Sequence, residues 1–167
     1  GWTTGTGVWQ TGFVLNPSTW YDVAVTIDSS SSSNDGVFYI DGSLVASSET
    51  SAPSGDYDDF SKDTLTIGGG INTSSLSYSG FGGKFENIAI YNRILTPTEI
   101  STIHNSGTRL PFASYPMNGL KFFFGGMDND SYTAKLNSAL TSLDTVYDLV
   151  NGFTGQPMNN PTLRAVG

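Results

Sequence analysis

The sequence contains no cysteine and only one histidine, His104. The first absence rules out a disulfide framework, a thiolate metal site and Cys-His nucleophilic chemistry, and the second rules out a multi-histidine zinc site. Cohesion must come from packing and hydrogen bonding. No apolar run approaches the roughly 20 residues that span a bilayer, and no basic start precedes a short apolar core as in a signal peptide. The residues present therefore read as a soluble domain without membrane insertion. The first residue is Gly1 rather than Met, which suits a processed product, a trimmed chain or a piece of something longer.

Basic residues are missing from the first third of the chain. Residues 1–61 contain eight acids and no Lys or Arg, whereas residues 62–167 contain seven of each, so the first segment alone accounts for the net charge of −8. Such a surface repels phosphate backbones and anionic membranes, but it tolerates a cation such as calcium or a neutral sugar. Nucleic acid is an unsuitable partner.

What the chain does have points to strands and turns. Charged residues make up 13% and aromatics another 13%, with 20 glycines. That balance favours an all-β domain over long helices. In "WYDVAVTID", Tyr21, Val23, Val25 and Ile27 fall on one face and Asp22, Ala24, Thr26 and Asp28 on the other, the pattern of a half-buried strand. After the flexible-looking tract "SSSSSNDG", the segment "VFYIDG" resumes the alternation and ends in an Asp-Gly turn before "SLVASS". A β-meander is expected. "GVWQTGFVLN" reads as a strand pair or a strand bent at Gly12, while "DTLTIGG" and "GKFENIAIYN" read as further strands.

One helix is well marked, near residues 97–105. In "TPTEISTIHNSG", Thr96 is placed as N-cap, Pro97 at the first helical position and Glu99 three residues after the cap, so the Thr hydroxyl and the Glu carboxylate can satisfy each other's backbone donors. Ile100 and Ile103 share a face for packing on the sheets, and Gly107 is a natural stop. On that helix His104 suits a partner for the C-terminal dipole better than a general base.

The order "VAVTID", "GVFYIDGSLV", "LTIGG" and "FENIAIYNRILTPTEI" resembles the closing half of a laminin-G-like domain of the concanavalin A-like lectin and glucanase superfamily, over roughly residues 8–107. The resemblance implies an antiparallel, jelly-roll-like β-sandwich. The tail, residues 108–167, begins with a connector and the strand "LKFFFGG". It then resembles the opening of such a domain in phage and other virus structural proteins, with Asp148, Asn151, Asn160, Pro161 and Thr162 at the matching places. The expected organisation is a closing half over 1–107, followed by a tail that completes the same sandwich in permuted order or starts a next one.

Glucanases of this superfamily carry a strand-borne Glu-x-Asp-x-x-Glu, and no such spacing occurs in this chain. A noncatalytic module is expected. For metal, "GDYDDF" gathers Asp56, Asp58 and Asp59, hard oxygen donors of the kind calcium takes from a loop, and the resemblance implies calcium at a sandwich rim. Asp128 and Asp130 form a second, weaker group. For sugar binding, Trp9, Tyr57, Phe60 and Tyr78 lie in or near glycine-rich segments, where an aromatic has less reason to be core. The resulting expectation is a virion structural or decoration protein, displayed at the virion surface and contacting neighbouring subunits or the rest of a longer chain, with glycans as candidate ligands. The alternative is an extracellular carbohydrate-binding or adhesion module.

Overall fold

The structure is a computed structural model that describes residues 4–56, 69–72, 77–80, 83–125, 146–147, 150 and 154–155. It divides into two compact units, Gly1–Leu65 with Arg93–Tyr115, and Thr66–Asn92 with Pro116–Gly167.

In the first unit, β2 (Val23–Thr26), β3 (Val37–Ile40) and β4 (Ser43–Val45) form an antiparallel meander in that order. Strands β3 and β4 are joined by Asp41 and Gly42, both at positive φ (49° and 72°), as the tight Asp-Gly hairpin turn requires. The serine tract between β2 and β3 is not slack. Asp28 Oδ1 accepts the Ser30 N–H at 2.9 Å, Asn34 Nδ2 donates to the Asp28 carbonyl at 3.1 Å, and the Ser31 and Ser33 hydroxyls bond each other at 2.7 Å. Short polar side chains here replace the missing ladder as partners for the backbone.

The alternation of β2 is present, but its apolar face is not the covered one. Val23 is 59% exposed and Val25 55%, while Ala24 and Thr26 are half-buried. Position in the sheet outweighs period here. Val23 sits directly opposite Ile40, which is only 9% exposed, because Ile40 lies on the central strand and Val23 on the outer one.

Strand β1 (Val8–Thr11) pairs antiparallel with β5 (Ser47–Ser51), with a register shift between Val8 and Trp9. Gly12 does not begin a second strand: the chain leaves regular structure after Thr11 and regains it at Val23. β5 has no apolar residue and is exposed throughout. Its hydroxyls hold it in place, with Thr50 Oγ1 donating to the Val8 carbonyl at 3.2 Å and Ser51 Oγ to the Thr6 carbonyl at 2.9 Å.

Helix α1 (Pro97–His104) forms where expected, with the full capping box on Thr96 and Glu99. Glu99 also takes a two-pronged ion pair from Arg93, at 2.6 and 2.9 Å. A helix this short is not stable alone, so burial of its apolar face must support it. Ile100 is 4% exposed and Leu95, just before the cap, 8%. The helix stops before Gly107: Asn105 adopts the left-handed cap, and Ser106 and Gly107 follow at positive φ.

In the second unit, β6 (Gly69–Asn72) pairs with β7 (Ser77–Gly80), β8 (Ile88–Tyr91) with β9 (Leu120–Phe124), and β10 (Val146–Tyr147) with β11 (Thr154–Gly155), all antiparallel. The β8–β9 ladder joins "IAIY" to the tail strand "LKFFF" across a wide sequence gap. Phe123 of this ladder is fully buried and Leu120 is 6% exposed.

Candidate functional site

Among the described residues of the first unit, three side-chain clusters bear on a functional site. The tightest links the β3–β4 turn to the end of α1. The Asp22 N–H donates to Asp41 Oδ1 at 2.9 Å, the Asp41 N–H donates to the Asp22 carbonyl at 2.9 Å, and His104 Nδ1 lies 2.7 Å from Asp22 Oδ2. A carboxylate only accepts, so Nδ1 carries the proton. The imidazole lies over Gly42, where an added Cβ would sit 3.1 Å from His104 Cβ. Gly42 is thus required twice, by the turn and by the ring above it.

The two carboxylates and the imidazole each offer a ligand atom within 4.8 Å of the others. Calcium takes about six to eight oxygen donors, so a set containing a nitrogen does not make a calcium cage, although zinc or manganese accept such donors. In this geometry the imidazole bonds the Asp22 carboxylate and the Asp41 carboxylate accepts the Asp22 N–H, so the three residues serve as a latch between the turn and the helix. Elsewhere, Arg93 and then the Thr96 backbone N–H lower the Glu99 carboxyl from its ordinary 4.5 to about 2. Asp28 is also lowered, by its hydrogen bonds from Ser30.

The second cluster surrounds Trp9. Its Nε1–H donates to Asp35 Oδ1 at 2.9 Å, and the indole crowds Gly7, where a Cβ would lie 2.7 Å from Trp9 Cζ3, while a Cβ on Gly36 would meet Cδ2 at an ordinary contact distance of 3.5 Å. Trp9 is half-buried and fixes β1 beside the start of β3. Of the other aromatic candidates, Tyr78 lies on β7 opposite Ile71, while Tyr57 and Phe60 fall outside the described residues. Among the calcium candidates, Asp56 is exposed, and Asp58 and Asp59 fall outside the described residues, as do Asp128 and Asp130.

The third cluster is one that the sequence patterns did not single out. Residues 12–20 are exposed throughout, including Phe13 (41%), Val14 (78%), Leu15 (50%) and Trp20 (54%). The loop is nonetheless organised. Tyr21 meets Phe13 edge-on, with ring centroids 5.6 Å apart, and its hydroxyl accepts from both the backbone N–H and the side-chain amide of Asn16, each at 3.2 Å. Ser18 turns the chain at φ 60°. Trp20 reads in sequence as the start of β2. The usable signal was "NPSTW", a proline turn flanked by Phe13 on one side and Trp20 on the other.

A laminin-G-like family model, described as belonging to the concanavalin A-like lectin/glucanases superfamily, matches residues 1–101 of the 167. The chain belongs to this family. No curated protein and no solved structure matches it. The observed architecture of antiparallel strands with one short helix is consistent with the concanavalin A-like β-sandwich. The match carries the laminin-G-like resemblance and not the virus setting suggested by the tail. Domains of this family are generally noncatalytic, lectin-like and typically extracellular, and many bind calcium. No helix among the described residues is long and apolar enough to cross a membrane.

Proposed function

We propose that this domain is a noncatalytic, extracellular carbohydrate-binding or adhesion module. The observation that carries the reading is the family match over residues 1–101, together with an ordered, exposed aromatic loop in the matched region. The charge distribution agrees, because an acidic surface without Lys or Arg over residues 1–61 suits a neutral ligand. The close carboxylates Asp22 and Asp41 are engaged with backbone and imidazole, which suits a structural role for them rather than an acid–base pair. A glycan microarray probed with the whole chain tests the reading: reproducible binding supports it, and an empty array together with turnover of any polysaccharide overturns it.

Calcium at Asp56, Asp58 and Asp59 is proposed on the sequence of that segment, as is a contribution to glycan contact from Trp9, Tyr57, Phe60 or Tyr78. A calorimetric calcium titration giving no heat, with no change of melting temperature in chelator, removes the metal. A second reading, a virion component contacting neighbouring subunits, is supported by the tail motif at Asp148–Thr162 and by the β8–β9 ladder, in which a tail strand pairs with the strand preceding α1 as a permuted sandwich would have it. Ordered self-assembly of the purified chain without glycan binding favours that second reading.

A further inference from the structure

The exposed groups of the 13–21 loop have an unusual combination of surface and unused hydrogen-bonding capacity. Trp20 leaves more than half its surface to solvent, and Phe13 presents its ring beside Tyr21. The Tyr21 oxygen spends both lone pairs on Asn16, so its own O–H remains a donor without an acceptor among the described residues. Asn16 donates through its amide nitrogen, and its Oδ1 accepts nothing among the described residues. The Trp20 indole N–H likewise meets no acceptor among the described residues. Donor and acceptor thus stand side by side at Asn16 and Tyr21, next in the chain to an open indole.

That set matches one kind of ligand. A sugar ring presents axial C–H groups whose positive edge suits the negative face of an indole, and its hydroxyls each need both a donor and an acceptor. Phosphate and sulfate groups, by contrast, need cations, and residues 4–56 carry six acids and no Lys or Arg. The same charge disfavours a second copy of this acidic unit and an anionic membrane. The loop is also held in shape before any ligand arrives, by the Asn16–Tyr21 bonds, the Phe13–Tyr21 contact and the turn at Ser18, which lowers the ordering cost of binding.

We propose that residues 13–21 form the glycan site, with Trp20 as the stacking platform and Asn16 and Tyr21 as the polar contacts, and that its ligand is a neutral oligosaccharide rather than a sialylated or sulfated one. This rests on the carbohydrate-binding reading above and assigns it a place and a ligand class. The test uses the whole chain on an array carrying neutral glycans beside their sialylated and sulfated counterparts, followed by calorimetry with the strongest neutral hit. Trp20→Ala should lower affinity at least tenfold and Asn16→Ala about threefold, with melting temperatures near wild type because both side chains are exposed. Wild-type binding unchanged in Trp20→Ala overturns the site and leaves the carbohydrate reading standing. Preference for sialylated or sulfated glycans overturns the ligand class. No glycan binding by wild type overturns both, and self-association lost in Trp20→Ala assigns the loop to a contact between copies instead.

Discussion

His104 Nδ1 and Asp22 Oδ2 lie 2.7 Å apart although 82 residues separate them in the chain. The bond ties the last turn of α1 to the entry of β2, and the imidazole lies over the Asp41-Gly42 turn. Because His104 retains about a fifth of its surface and Asp22 about half (20% and 53%), the pair is worth about 1 kcal/mol rather than more. His104→Ala and Asp22→Asn should each lower stability by that amount, and the double variant should lose little more than either single one. Urea denaturation of the four proteins in a double-mutant cycle checks this, and strict additivity would remove the latch.

Gly42 should not tolerate a side chain. At φ 72° an L side chain is strained by roughly 1 kcal/mol, and its Cβ would press on His104. Gly42→Ala should therefore lose more than 1 kcal/mol, and His104→Ala should relieve part of the loss. Equal losses in both backgrounds contradict the stacked arrangement.

Acid sensitivity should reside at the start of α1. The folded Glu99 carboxyl titrates at about 2, below its ordinary 4.5, so the unfolded chain takes up the proton first as pH falls. Its stabilising contribution is complete above about pH 5 and is lost as pH falls from there toward 2. The urea midpoint of Glu99→Gln should depend less on pH between 6 and 3 than that of wild type. Thr96→Ala should cost about 1 kcal/mol at neutral pH.

What the sequence disclosed was local chemistry with a strong signature. The Asp-Gly turn, the capping box from Thr96 to Glu99 and the strands "VAVT" and "VFYI" all formed where their residues placed them. Strand β5 was harder to read because it has no apolar residue and is held by hydroxyl-to-carbonyl bonds from Thr50 and Ser51, a long-range pairing that leaves no period in the sequence. The apolar face of β2 was legible, but not its exposure, since period reports which residues share a face and not whether that face is covered. The His104–Asp22 latch is likewise invisible without the fold, and Trp20 was hidden by its place beside a strand.

The contrast between Val23 and Ile40 is directly measurable. Val23→Thr, at an exposed edge position, should change stability by less than about 0.5 kcal/mol. Ile40→Ala, directly opposite on the central strand and 9% exposed, should cost about 2–4 kcal/mol. Comparable losses at the two sites indicate that the face of β2 is covered in solution.

Trp9 should behave as an anchor of the β1 region. Trp9→Phe removes the 2.9 Å bond to Asp35 and should cost about 1 kcal/mol.

The most direct measurement is a ¹⁵N-resolved NMR titration of the whole chain with a neutral oligosaccharide selected from the array. Saturable shifts should concentrate on the Trp20 indole N–H, the Asn16 side-chain amide and the backbone of residues 13–21. Saturable shifts confined to residues outside 13–21, or no shifts at ligand concentrations that saturate the array signal, would contradict a glycan site on this loop.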